Sequence, residues 1–341
     1  MPFPLQGQPG LIVDRPGPED FQPPLWGGPG RLVRLVRGLQ WAVHPCTVFA
    51  SILQLETPLR ECGSFMSRIH PTAILDSRVE LAEDVEIGPY CVLEGAIRIG
   101  RGTKLRAHCF MQGPMVIGED NDIWPFSALG VAPQTSHFDP SEEGPGTLIG
   151  DRNVFREHSS VHRSIHETDP TKIGDDNLFM DGAHAGHDCQ LANHIVLAKG
   201  SMLGGHAILE DRVIIGGNAG VHQFVRVGRG VMIGGNAGSS LDVLPWFMVT
   251  LLNTANSINL VGLRRSGASA EDIAIVRLVF KLFCRSGLTI AAATERLREH
   301  AGQPMADEYL EFLGKSTRAI CTMRGRKTMA GNDSFQAADS T

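Results

Sequence analysis

The amino-acid sequence predicts a parallel β-solenoid of hexapeptide repeats, a left-handed β-helix, closed by a carboxyl-terminal α-helical cap. Three observations predict it. A bulky aliphatic returns at every sixth residue from Ile69 onward; a glycine often follows it, as at Gly88, Gly100, Gly118, Gly150, Gly216 and Gly234; and beyond Ser239 the beat gives way to a helical one.

The sixth-place residues begin Ile69, Leu75, Leu81, Ile87 and Leu93 and continue to Leu129. They resume at Ile149, Phe155 and Val161, and run again from Ile173 to Ile233. In such a hexad two or three residues form a short strand, one side chain points inward, and a small residue turns the corner. Three hexads close a triangular coil, so residues 18 apart stack at about the 4.8 Å strand spacing. The stacked aliphatics build a core that no single coil can bury. Period alone does not set handedness; short-coil hexapeptide helices are, as a class, left-handed exceptions to the crossover rule.

The chain has 341 residues and a formal net charge of −6, the profile of a soluble protein of one large or two modest domains. That charge argues against bulk nucleic-acid binding and leaves room for a local basic patch. Seven scattered cysteines without a CxxC pair suit reduced thiols in a cytoplasm rather than a disulfide framework. No apolar run reaches the length of a membrane span, so no stable membrane insertion is expected.

Residues 1–65 share nothing with the hexads and read as a flexible or upstream extension, with Met66 the working start. The acid-free run carrying Arg31, Arg34 and Arg37 leaves an organelle presequence as the competing reading. The β-helix is expected over 66–245, a helical domain over 246–325 and a disordered tail over 326–341. Two interruptions, 130–148 and 164–172, are long for solenoid turns and suit loops covering a binding face. In the cap, Ser269 with Asp272 forms a capping box, and Ile275, Leu278, Val279, Leu282 and Phe283 share one helical face. Gly287 ends that helix, and Thr289–His300 and Met305–Leu313 are further helices.

Histidines concentrate in the later coils at His184, His187, His206 and His222. Asp188 and His206 are 18 apart and should stack on adjacent coils, with His187 over Gly205. An imidazole beside a carboxylate is a general-base arrangement. Imidazoles on adjacent coils also ligate zinc, and spacing alone does not separate the two readings.

Two runs, DNLFMDGAHAGHDC (176–189) and LGGHAILEDRVIIGGNAGVHQF (203–224), resemble the UDP-N-acetylglucosamine O-acyltransferases, which open lipid A synthesis. IHPTAIL, IGDRNVFREHSSVHR (149–163) and GLRRSG agree, and the resemblance covers about residues 66–325. It implies a homotrimer with sites between subunits, no cofactor, and transfer of a 3-hydroxyacyl chain from acyl carrier protein to the 3-hydroxyl of UDP-N-acetylglucosamine. Catalytic roles fall on His187 as general base, Asp188 as its orienter and Gly205 as oxyanion donor. Substrate contacts fall on His184, His206, His222, Gln223, Gln134, Asn259 and Arg265, and acyl-chain measurement on Gly235, where a missing side chain implies a long groove. Arg264, Arg265, Arg318, Arg324 and Arg326 are candidates for a basic groove facing the acidic carrier.

The chain departs from that pattern where PQTSHF, with Thr135 and His137, replaces PQDLKY, where Ser266 replaces an Arg, and where Thr250–Asn253 lacks a Gly. A paralogue acting on another sugar nucleotide or acyl chain, a metal-dependent hydratase of the γ-carbonic-anhydrase type, and a non-catalytic scaffold therefore stay open as alternatives.

Overall fold

The computed structural model describes residues 67–323, except 136–137, 140–142 and 166–167. The extension 1–65, Met66, the tail 326–341, His137, Arg324 and Arg326 lie outside the described residues.

Short strands stack into three parallel sheets, the faces of a left-handed β-helix. The first face runs from Arg68–Ile69 to Met232–Ile233, the second from Ile74–Leu75 to Gly238–Ser239, and the third from Val79–Leu81 to Arg226–Val227. Ile69 pairs with Ile87 and Leu75 with Leu93, the 18-residue coil that the period predicts. Two coils are longer. Asp122 pairs with Val154 and Val154 with Leu178, separations of 32 and 24, so the two interruptions add 14 and 6 residues.

The inward columns are filled by the sixth-place residues: Ile87, Leu93, Ile99, Leu105, Met111, Ile117, Ile123 and Leu129 are all buried. Each contributes on the order of 1.5–3 kcal/mol by leaving water. Several polar groups inside the coil pair with one another, as Ser127 does with Ser159. At the edge between the third and first faces, buried Asn121, Asn153 and Asn177 form a ladder in which each side-chain Oδ1 accepts the next coil's backbone N–H at 2.7–2.9 Å. At the edges a left-handed residue turns the chain, and Asp, Asn and His recur there, for instance Asp84, His108, Asp176, Asn218 and His206.

β-Structure continues past the boundary expected at 245. Phe247–Leu251 pairs in parallel with Met232–Ile233 and returns antiparallel as Thr254–Ile258. Residues 247–251 and 254–258 are therefore strands joined by a turn rather than helix, and Phe247 and Val249 extend the buried column of the first face. The helices follow: α1 (Leu260–Arg265), α2 (Ala270–Phe280), a π-helical turn (Lys281–Arg285), α3 (Ile290–Arg298) and α4 (Pro304–Lys315). The Ser269–Asp272 capping box opens α2 with both hydrogen bonds formed, and Thr289 caps α3. Gly287, at φ +78°, turns the chain out of the π-helical turn.

Ile275, Val279 and Phe283 are buried with Ala293, Leu297, Tyr309 and Phe312. The cap is bolted to the last coils by Tyr309, whose hydroxyl donates to the Pro245 carbonyl at 2.8 Å, and by the Arg229–Glu308 ion pair. At Gly230 only glycine fits: φ is +66° and a Cβ would stand 2.2 Å from the Trp246 ring. Among the described residues no helix is long and apolar enough to cross a membrane, and the five described cysteines are free thiols.

Candidate active site

The edge between the second and third faces carries the histidine motif. Here the chain leaves strand His184–Ala185, turns through Gly186–Cys189, and repeats the turn one coil later at Gly204–Ala207 and again at 222–225. Asp188, His206 and Phe224 are the left-handed residues of three successive turns, at φ 60°, 59° and 63°. They form one column: His206 Nε2 lies 3.6 Å from Asp188 Oδ2, and the Phe224 ring stacks on His206 at 4.3 Å and 8°.

His187 sits beside that column. Its Nδ1 lies 2.6 Å from Asp188 Oδ2. A carboxylate only accepts, so Nδ1 is the donor, and the neutral ring carries its lone pair on Nε2. The ring is seated over Gly205, where a Cβ would stand 2.6 Å from Cε1 and Nε2. Among the described residues the Gly205 N–H donates to no acceptor. His206 meets His187 edge-on, centroids 5.1 Å apart.

Asp188 is buried, with 3 % of its side chain exposed. Burial alone would raise its pKa, yet hydrogen bonds from His187, the Ser164 hydroxyl and the Ile165 N–H, helped by His206, hold it at about 2. The carboxylate is thus a fixed negative charge at neutral pH. His184 bonds Ser160 Oγ through Nδ1 at 2.9 Å, and its pKa falls to about 4, through burial first and then the neighbouring His162 and His187. It is a neutral imidazole at pH 7.

The structure brings His184, His187, Asp188, Gly205 and His206 together. Exposed His222 and Gln223 stand on the next coil of the same edge; His222 Nδ1 lies 3.2 Å from the Gln223 carbonyl, which also accepts from Arg318 at 3.3 Å. Gln134 is exposed in the loop whose Ala132 carbonyl receives His162 Nδ1 at 2.7 Å. Arg264 and Arg265 are exposed on α1. Two expected residues stand apart. Asn259 spends both amide groups within the protein, Oδ1 capping α1 at Gly262 N and Nδ2 donating to the Gly230 carbonyl. Gly235 is exposed on a different edge, between the first and second faces.

His162 and Ser164 are site residues that the histidine count passes over. His162 meets His184 edge-on at 5.0 Å, and burial lowers its pKa. Ser164 lies 24 residues before Asp188, so an 18-residue ruler misses it; correcting for the six inserted residues finds it. His187, Asp188 and His206 also place one potential metal-ligand atom each within 4.8 Å of one another.

A family model described as UDP-N-acetylglucosamine O-acyltransferase, domain 2, matches residues 242–321. The acyl-[acyl-carrier-protein]–UDP-N-acetylglucosamine O-acyltransferase of Paraburkholderia phymatum is 43 % identical over 263 residues, covering 75 % of this chain and 99 % of that protein. The enzyme of the same name from Janthinobacterium sp. (strain Marseille) is 45 % identical over 265 residues, with the same coverage. Among solved structures, the UDP-N-acetylglucosamine acyltransferase of Francisella novicida superposes with a TM-score of 0.72 at 32 % identity, covering 75 % of this chain and 95 % of that one. With nearly the whole length of these relatives matched, and the imidazole–carboxylate pair on the edge where the motif puts it, the chain belongs to the UDP-N-acetylglucosamine O-acyltransferase family.

Proposed function

We propose that this protein transfers a 3-hydroxyacyl chain from acyl carrier protein to the 3-hydroxyl of UDP-N-acetylglucosamine, with His187 as general base. The observation that carries the reading is the 2.6 Å His187–Asp188 contact above Gly205. With Nδ1–H committed to Asp188, Nε2 takes the proton of the sugar hydroxyl as its oxygen attacks the thioester carbonyl. The Gly205 N–H donates to the oxyanion of the tetrahedral intermediate. Collapse breaks the C–S bond, leaves the new ester C–O bond, and returns the proton from His187 to the departing thiolate. Neutral His184, with His206, His222, Gln223 and Gln134, lines the sugar-nucleotide side, and Arg265 supplies charge for its phosphates. The relatives' names support both substrates.

A homotrimer is part of the proposal. Gly235 and His187 stand on different edges of one solenoid, so an acyl chain reaching both needs the edge of a second copy. Reduced thiols fit action in the cytoplasm. Incubating the purified full chain with UDP-N-acetylglucosamine and a panel of 3-hydroxyacyl carriers tests the reading by mass spectrometry. The O-acylated sugar nucleotide is expected for at least one chain length; a sugar nucleotide unchanged with every donor overturns it.

The donor trio His187, Asp188 and His206 supports a metal-dependent hydratase as second reading. It fits less well. Asp188 already accepts from Ser164, Ile165 and His187, which fills most of a carboxylate's roughly four lone-pair sites. Stoichiometric zinc in purified protein, with loss of activity on its removal, decides for the hydratase.

A further inference from the structure

We propose that Ser164 is a positioning residue that reserves the Asp188 carboxylate for His187 and keeps it from His206; its consequence for turnover rests on the acyl-transfer reading above. The carboxylate has two imidazoles within reach. His187 Nδ1 lies 2.6 Å from Oδ2, and His206 Nε2 lies 3.6 Å from the same oxygen. A carboxylate turns easily about its Cβ–Cγ bond, a terminal torsion of broad preference. Turned toward His206, it leaves the neutral His187 ring to carry its proton on either nitrogen, and the Nε2–H tautomer has no lone pair at Nε2 to take a proton. The pair works as a base only while the plane of the carboxylate is fixed.

Ser164 is placed to fix it. Ser160 and His184 are register partners on adjacent coils, so Ser164, four residues on, stands against Asp188 from one side while His206 stands on the other. The serine hydroxyl donates to Oδ1, the oxygen that His187 does not use, and the Ile165 N–H donates to Oδ2 at 3.3 Å. A donor on each oxygen sets the plane. The serine is itself buried and held. Its N–H donates to the Gly146 carbonyl at 3.2 Å, and so does the Thr171 N–H, also at 3.2 Å. One acceptor in the first insertion thus fastens both ends of the second. Thr171 adds a grip on the other partner, because its Oγ1 accepts the Asp188 N–H at 2.8 Å. Gly146 has φ +75°, and a Cβ there would stand 1.9 Å from the Pro114 carbonyl oxygen, so only glycine serves.

The competition is between His187 and His206 alone. His162 and His184, the other imidazoles of the site, have Nδ1 partners of their own in the Ala132 carbonyl and Ser160 Oγ. A hydrogen bond from a hydroxyl to an ionised carboxylate is strong enough to shift such a choice about tenfold. The histidine motif over 184–189 therefore does not specify its own base. The tautomer of His187 is set by a residue 24 positions earlier, at the mouth of an inserted segment.

The test uses the full chain and Ser164→Ala, each also in a His206→Ala background. Nitrogen-15 NMR of histidine-labelled protein in alkaline buffer reads the tautomer of His187, whose signals are assigned by their loss in His187→Gln. The proposal predicts the Nδ1–H form in the wild type and a mixture with Nε2–H in Ser164→Ala. In turnover, Ser164→Ala should lower kcat about tenfold with both KM values within about twofold of wild type. With His206 absent the rival is gone, so the same substitution should restore the Nδ1–H form and cost no more than about twofold. A tautomer that Ser164→Ala leaves unchanged, an Nε2–H form in the wild type, or an equal loss of kcat in both backgrounds overturns the proposal. So does a raised KM with kcat intact, because the serine then serves substrate rather than the carboxylate. Wild type that makes no acylated sugar nucleotide sinks the acyl-transfer reading, and the tautomer comparison still decides on Ser164.

Discussion

Along the edge between the first and second faces, Tyr90, His108, Phe126 and His158 stack ring on ring at 5.0–5.1 Å and within 15° of parallel. Along the next edge, Asp188, His206 and Phe224 occupy the same left-handed corner position of later coils. Both columns place imidazoles in register, and both are products of the coil rather than of any reaction. The difference is the carboxylate and what surrounds it. On the first edge His108 and His158 are exposed, His108 between two aromatic rings and His158 at the end of the stack. On the second, Asp188 is buried, bonded by Ser164 and Ile165 from the six-residue insertion, and aligned on His187. A row of histidines in a solenoid becomes chemically directed when an inserted loop encloses a charge beside it.

The largest expected effect follows directly. His187→Ala removes the atom assigned to the proton and should lower kcat by on the order of 10²–10⁴-fold. The side chain lies outside the aliphatic core, so thermal midpoint and oligomer mass should stay those of the wild type. A variant keeping more than about a tenth of the wild-type kcat would move the base to His184 or His206.

Asp188→Asn should cost about 10²-fold, the lower end of that range, because the ring keeps its place while the partner that fixes its tautomer loses its charge. His206→Ala, which removes a neighbour of the carboxylate, should cost under about tenfold, or 1.4 kcal/mol. Steady-state kinetics on the three variants give the order; His206→Ala as the most damaging would reassign the base. The depressed Asp188 pKa adds a stability signature. With the folded value at about 2 against 3.8, its contribution is present above pH 4 and lost as pH falls toward 2.

Most of the fold could be read from the chain because a six-residue period repeats one physical requirement, an inward aliphatic, at every turn. Ile87 to Leu129 satisfy it without exception. The corners were less legible. Asp188 with His206 came from the 18-residue coil, but Ser164 and His162 did not, because insertions of 14 and 6 residues change the ruler where the site is built. Asn259 carries a structural task that the motif does not display: its side chain caps α1 at Gly262 N and donates to the Gly230 carbonyl. The strand at Phe247–Leu251 was hidden because it lies past the last full hexad.

His184 offers a test of the second edge through pH. Burial, then His162 and His187, lowers its pKa from 6.5 to about 4, so the unfolded chain takes up the proton first. Stability is full above about pH 6.5 and falls as pH drops toward 4, since the unfolded state binds more protons in that window. His184→Gln should flatten that part of the thermal midpoint–pH curve. An unchanged slope would mean that the ring is protonated in the folded protein.

The smallest effect belongs to the first edge, and it is the sharpest check on the comparison. His108 is flanked by Tyr90 and Phe126 with interplanar angles of 15° and 13°, so its removal interrupts a four-ring stack. Ring pairs contribute about 0.5–1.5 kcal/mol beyond their buried area, and exposure places this one at the low end. The turn also loses a residue type that tolerates the left-handed conformation, since His108 sits at φ 54°. Both effects are local, and no carboxylate is aligned on the ring. His108→Ala should therefore lower stability by no more than about 1–2 kcal/mol and leave kcat and KM within about twofold of wild type. A kcat loss approaching that of His187→Ala, without matching loss of stability, would show that the first edge also touches substrate, and the contrast drawn between the two edges would fail.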